Sequence, residues 1–210
     1  MTRGVLLLGA SGLAREVIAA DPSGIVGIAD DDETLHGRAM GGVPILGGIA
    51  DISRRPHDLL VCVGGGSGRR AIVRRLLAWG LPPTRFATFV APTVRVGRSS
   101  SIGAGSILLD GVVVTADASI GRHVVMMPHC TITHDDVIAD YATLAAGVSL
   151  GGGVHIGQAA YLGMNASVRQ HITVGAEATV GMGAAVVGDI PEGQIWAGVP
   201  AQPLDEVVRR

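Results

Sequence analysis

The chain has 210 residues, 48% of them hydrophobic and 16% charged, with a formal net charge of −2. That is too apolar for a disordered chain, long enough for one large domain or two small ones, and without the basic footprint that nucleic acid requires. Aromatics are 3% against 32 glycines, so the core must be aliphatic and the chain must turn often. Every basic residue is Arg; the lack of Lys excludes a Walker-type phosphate lysine and Schiff-base chemistry.

Cys62 and Cys130 lie far apart and form no CxxC, which suits a reducing cytoplasm. No apolar run approaches the ~18 residues of a membrane span. The amino terminus passes straight into a strand-like segment with no small-residue cleavage site after it, so no targeting signal is expected.

In chain order, Val5–Leu8 reads as a buried strand, followed by Gly9-Ala10-Ser11-Gly12 and a helix over Leu13–Ala20. Ile25–Ile28 is a second apolar run, ending at Asp30-Asp31-Asp32. Leu59–Val63 is a third, followed by Gly64-Gly65-Gly66-Ser67 and a helix near Arg69–Trp79 whose apolar face is Ile72, Val73, Leu76 and Leu77. Strand, glycine turn and helix in succession predict a small parallel α/β unit over residues 1–86, and Pro82-Pro83 marks its exit.

The Gly9–Gly12 turn offers backbone N–H groups to a phosphate at a helix start, and Asp30 stands where a ribose hydroxyl is commonly held. The full GxGxxG is absent, since Ser11 replaces the second Gly and no third follows. An NAD site, a nucleotide-sugar site and a turn that merely tightens the chain all remain open. Gly9, Ser11, Gly12, Asp30, Asp31 and Gly64 are the candidate acceptor-binding residues.

From Val90 the texture changes. Stepping by six gives Val96, Ile102, Leu108, Val114, Ile120, Met126, Ile132, Ile138, Leu144, Leu150, Ile156, Leu162, Val168, Val174, Val180 and Val186, all aliphatic. A period of six fits neither an amphipathic helix nor an alternating strand. It fits a parallel β-helix in which each hexapeptide supplies one side and one corner, and three sides make an 18-residue coil. Residues 90–186 give about 5.4 coils, or at roughly 4.8 Å per layer a prism about 25 Å tall. A narrow lumen explains the scarcity of rings, and the small residues that follow the aliphatic positions (Gly97, Gly103, Gly121, Gly151, Gly157, Gly163, Gly175, Gly181) are expected where the chain turns tightly.

The repeat resembles that of the hexapeptide-repeat acyltransferases, whose prisms are left-handed. Gly9-Ala10-Ser11-Gly12, Asp30-Asp31-Asp32, Gly37, Gly42-Val43-Pro44-Ile45-Leu46-Gly47, Val61-Cys62-Val63-Gly64, the hexapeptides and Ala197-Gly198-Val199-Pro200-Ala201 follow one another as in the sialic-acid O-acetyltransferase family, the NeuD/PglD group. The resemblance implies a Rossmann-like domain (1–86) before a left-handed β-helix (87–210). It also implies a cytoplasmic homotrimer with its site between neighbouring prisms, acetyl-CoA as donor, no metal, and a sugar or nucleotide sugar as acceptor. Two departures fall inside the implied site. Leu13 with Ala14 stands where the family commonly has His-Gly or His-Ala, and Thr143 stands where it often has a second His; Thr143 retains a hydroxyl that can donate toward the thioester or CoA.

Direct acetyl transfer needs a base for the attacking group, a donor for the oxyanion and a groove for pantetheine. Of seven histidines (His36, His57, His123, His129, His134, His155, His171), His134 stands out. Ile132 and Ile138 point inward, so His134 falls on an outward corner with Asp135 and Asp136 following. A solvated corner histidine would look the same; the resemblance implies a catalytic His134 oriented by Asp135. His123, His129, His155 and His171 read as surface or subunit-interface residues. The resemblance further places Gly152, Gly163, Met164 and Gly181 along the pantetheine path, Asn165 as a polar contact, a backbone N–H near Gly152 at the oxyanion, and Trp196–Pro200 at the CoA end. The CoA phosphates would fall to Arg169, Arg209 or Arg210.

Three other readings stay open. A γ-type carbonic anhydrase shares the prism, and His129 and His134 have the H-x4-H spacing of two zinc ligands, but position 93, where the third is expected, is Thr. A degenerate prism serving as a binding module, and an acyltransferase with a non-sugar acceptor, are the others.

Overall fold

The structure, a computed structural model, describes residues 4–204. The amino-terminal unit comprises β1 (Val5–Leu8), α1 (Gly12–Ala20), β2 (Ile25–Ala29), β3 (Ala39–Met40), β4 (Val43–Gly47), α2 (Ile49–Ile52), β5 (Asp58–Val61) and α3 (Gly66–Ala78). Its sheet runs in the order β3-β4-β2-β1-β5. β1, flanked by β2 and β5, is an unbroken apolar run, and Leu6, Leu7 and Leu8 are fully buried.

The sheet is mixed rather than wholly parallel. Gly41 (φ 55°) and Gly42 (φ 82°) form a two-residue turn that folds β3 back antiparallel to β4. Positive φ at both central residues is what such a hairpin requires, and two glycines supply it. α3 starts three residues before its expected beginning, and its fully buried face is Arg69, Val73 and Leu76, while Leu77 is exposed. The spacing i, i+4, i+7 puts the arginine on the inner face.

After Phe86, bridged to Leu59, seventeen two-residue strands run from β6 (Phe89–Val90) to β22 (Ala185–Val186), followed by β23 (Ile195–Ala197) and β24 (Gln202–Pro203). Each short strand pairs in parallel with the one eighteen residues on, as Val125 with Thr143 and Thr143 with Tyr161. The result is three parallel faces that match a left-handed β-helix. The second residue of each strand is the aliphatic one of the hexapeptide, and from Leu108 to Val186 these side chains fill the lumen.

The corners differ from expectation in one respect. Positive φ recurs at every sixth residue from Gly105 to Gly183, and at Asp117, His123, His129, Asp135, Tyr141, Ala159, Asn165, His171 and Glu177 the left-handed residue is not glycine. The glycines that follow the aliphatic positions lie elsewhere and answer a different need. A Cβ on Gly97 would meet Thr115 O at 1.5 Å, and one on Gly157 would meet Ala176 N at 2.4 Å. They are small because the next coil lies directly upon them.

The small domain packs on one prism face. There the outward residues of the first strands, Ile107 and Val125, together with Leu109, join Leu7, Leu13, Val17 and Leu60 in one buried cluster. Among the described residues no helix is long and apolar enough to cross a membrane.

Candidate functional site

The chain builds two separate constellations. The first occupies a corner of the prism. Thr131–Ile132 and Val137–Ile138 are strands of adjacent faces, and the turn between them carries His134 and, in the left-handed region, Asp135 (φ 61°). His134 Nδ1 lies 2.8 Å from Asp135 Oδ2, and the two side chains are 63% and 67% exposed. The hydrogen bond to Asp135 raises the imidazole pKa above its ordinary value. With the Nδ1 proton held by the carboxylate, Nε2 is left with the lone pair, the arrangement a general base requires.

Asp136 does not share this task. It turns inward, is fully buried, and accepts from the N–H groups of Thr133 (2.7 Å) and Val154 (2.8 Å). The ring of His134 sits over Gly152, so the expected base, its carboxylate and the expected oxyanion region meet at one corner.

The second constellation is a cleft of about 520 Å³ between α1, the end of β5 and the prism face. It gathers Ser11, Gly12, Gly64, Thr143 and Met164, five of the residues expected at the site, from both domains. Leu13, Met127, Pro128 and Ala146 make much of the remaining wall apolar, and Glu16 stands at it as an ionisable group whose pKa burial raises. The dyad is absent from this wall. His134 stands on the corner opposite the face that carries the small domain.

Several groups expected to bind ligand are engaged within the chain. Ser11 caps α1, accepting from Leu13 N–H (3.1 Å) and Ala14 N–H (3.4 Å), and donates to Cys62 O (2.7 Å). Gly9, at φ 105°, places its Cα where a Cβ would lie 2.9 Å from Cys62 O. Asp30 accepts from Ala10 N–H (2.6 Å) and Asp32 N–H (2.9 Å), which fixes the glycine turn. Asp31 accepts from Ile49 N–H (2.9 Å) and pairs with Arg75 (2.7 Å).

Thr143 is 4% exposed; its hydroxyl donates to Gly64 O (3.0 Å) and accepts from Arg69 (2.9 Å). The donor expected to reach the thioester is therefore already used, because Thr143 lies beneath the small domain. Gly163 and Gly181 are pressed against Met182 N and Ala197, and Asn165 projects from a left-handed corner over Gly147. Arg169 is exposed, Trp196 Nε1 donates to Gln194, and Arg209 and Arg210 lie outside the described residues.

Two residues escaped the sequence reading. His123, expected at a surface or subunit interface, is 4% exposed, stacked on Tyr141 (5.2 Å between centroids) and edge-on to Phe86 (4.7 Å). Arg69 is wholly buried. The signals available were the spacing of Arg69 with Val73 and Leu76, and the apolar outward positions Ile107 and Val125, which mark the face a domain must cover. Among the described residues no three His, Cys, Asp or Glu side chains cluster as a metal site would need.

No protein-family model and no curated protein matches the chain. Solved structures do. A histidine-to-alanine mutant of GDP-perosamine N-acetyltransferase from Caulobacter crescentus, in complex with CoA and GDP-perosamine, superposes with a TM-score of 0.89 at 29% identity, covering 97% of both chains. The acetyltransferase domain of PglB from Neisseria gonorrhoeae, in complex with acetyl coenzyme A, gives 0.88 at 30%, covering 97% of this chain and all of that one. WeeI from Acinetobacter baumannii gives 0.83 at 27%, with 97% of this chain covered.

A Rossmann-like unit on one face of a hexapeptide prism defines a sugar-acetyltransferase architecture. The chain belongs to the PglD/PerB/WeeI-type nucleotide-sugar N-acetyltransferases of the hexapeptide-repeat family.

Proposed function

We propose that the chain transfers the acetyl group of acetyl-CoA to the amine of a nucleotide-linked amino sugar. The observation that carries this reading is the His134–Asp135 pair, with Nδ1 on the carboxylate and Nε2 free at an exposed corner. The neutral acceptor amine attacks the thioester carbonyl and forms the C–N bond. His134 Nε2 takes the amine proton, a backbone N–H near Gly152 steadies the oxyanion, and the C–S bond breaks. The CoA thiolate then leaves with the proton returned from His134.

The dyad and the cleft lie on opposite sides of one prism. A neighbouring chain of a homotrimer therefore brings its cleft to this corner, with the acceptor nucleotide on the side of Gly12 and Gly64. Acetyl-CoA runs between the two neighbouring prisms, past Gly152 of the chain that supplies the dyad and Met164 of the chain that supplies the cleft. Asp30 acts on the acceptor through the shape of the glycine turn it holds.

The test is release of CoA thiol by the purified protein with acetyl-CoA and a panel of UDP-, CMP- and GDP-linked amino sugars. Turnover with at least one acceptor is expected, and His134→Ala should lower it by at least ~10² while CoA still stabilises the protein thermally. Near wild-type turnover in His134→Ala would overturn the assignment of the base. Stoichiometric zinc with CO2 hydration, and no acetyl transfer, would overturn the function.

A further inference from the structure

Arg69 heads the largest side chains of the described residues that are fully removed from solvent. Six acceptors, all neutral, lie within hydrogen-bond distance of its five N–H groups, so one N–H of Nη2 is shared between two of them. Nε donates to His123 O (2.9 Å), and Nη1 donates to Val63 O (2.8 Å) and Gly64 O (2.7 Å). Nη2 donates to Tyr141 O (2.8 Å), Ala142 O (3.0 Å) and Thr143 Oγ1 (2.9 Å). Among the described residues no carboxylate pairs with it. Burial lowers its pKa to about 10, which leaves it charged at neutral pH.

A buried cation without a counter-ion is a costly way to close an interface, because desolvation is offset only by hydrogen bonds. What the planar fork adds is direction, since it fixes several acceptors at set angles at once. Here the acceptors belong to both domains. Val63 and Gly64 are the turn after β5; His123, Tyr141, Ala142 and Thr143 are two successive coils of the prism. Gly64 and Thr143 are also wall residues of the cleft, and they are joined to each other by the Thr143 hydroxyl. The chain of bonds continues beyond them, because Cys62 O, next to Val63, holds Ser11, and Ser11 caps α1 on the other side of the cleft.

We propose that Arg69 is a positioning residue for the acceptor: it sets the distance between the Gly64 turn and the prism face, and so the shape in which the cleft receives the sugar nucleotide. The proposal rests on the functional reading above. It distinguishes Arg69 from a mere tie between domains, which would change stability without favouring one substrate over the other.

The experiment is steady-state kinetics of Arg69→Gln and Arg69→Lys, with both substrates varied and temperatures held well below each variant's melting point. Acceptor KM is expected to rise at least tenfold while acetyl-CoA KM stays within twofold; Lys, a point charge without the fork, should not rescue. Equal changes in both KM values, or none, would overturn the proposal.

Should neither variant fold, Thr143→Val removes one hydroxyl at nearly constant shape and should raise acceptor KM several-fold; an unchanged acceptor KM would overturn the proposal. Should the wild type acetylate no nucleotide sugar, the functional reading fails separately. Amide exchange then decides the positioning role. Faster exchange in Thr143→Val confined to residues 11–14 and 62–66 supports it, and no change, or loosening of the whole prism, refutes it.

Discussion

The imidazole of His134 lies directly above Gly152, one coil further along the chain. A Cβ on Gly152 would stand 2.4 Å from its Cε1 and 2.5 Å from its Nε2. The base is thus seated on a residue that has no side chain. The backbone at Gly152 is outside the left-handed region, so alanine fits there conformationally and only the ring must move. Gly152→Ala should melt close to wild type while kcat falls at least tenfold, on the order of the loss that follows from misplacing a base. Undiminished kcat in the folded variant would show that the ring's seat is irrelevant.

The Asp135 carboxylate raises the His134 pKa through its hydrogen bond, so the base is fully formed only above the ordinary histidine range. Activity should therefore climb with pH along an acid limb set by this pair. Asp135→Asn removes the charge, lets the imidazole lose its proton more easily, and moves that limb to lower pH. The plateau should also drop, since a weaker base removes the amine proton less well. A limb that stays in place in pH–rate profiles of the two proteins would mean that another group titrates.

His123 predicts an acid weakness of the fold. Burial, helped by Arg69 and Arg122 and opposed by Asp140, lowers its pKa to about 4. The unfolded chain binds this proton near 6.5 and the folded chain only near 4, so stability is full above 6.5 and declines as pH falls through that window. The decline is on the order of 3 kcal/mol by the time pH 4 is reached. Urea midpoints at stepped pH should show it, and His123→Phe should flatten the slope. A slope that persists in His123→Phe would assign it to other groups.

The lumen tolerates neither loss nor gain of volume. Leu144 is fully buried in it. Leu144→Ala should cost about 2–5 kcal/mol and Leu144→Phe about 1–3 kcal/mol, because the coils above and below cannot part without breaking their ladders. Chemical denaturation of both variants checks this, and a Phe variant as stable as the wild type would refute the claim of a close-packed lumen.

The hexapeptide register was readable residue by residue, because from Leu108 to Val186 the second position of each short strand meets the same narrow lumen whatever its neighbours do; at the open end Val90 keeps the register but is 42% exposed. The corner that bears His134 was readable for the same reason: inward Ile132 and Ile138 leave the residues between them outward. The edge hairpin at Gly41-Gly42 was not, since its strand, Ala39–Met40, is too short to show a pattern. Arg69 and His123 were missed because polarity alone places such residues outside, and only the docking of one domain on the other buries them. The commitment of Thr143 to Gly64 follows from that same docking, across 79 residues of chain.

Because the short strands from β6 to β22 pair with one another only at a distance of eighteen residues, position in this prism behaves as an address with two parts. The remainder after division by eighteen names the edge or face, and the quotient names the height. Inserting eighteen residues ahead of Thr131 would lift the His134 pair one storey and keep it on its own edge. Inserting six would keep the lumen filled, the strands paired and the corners formed, yet would turn the pair about a third of the way around the axis. Such a prism would present its histidine on another edge, and would also carry Tyr141, Ala142 and Thr143 away from Arg69.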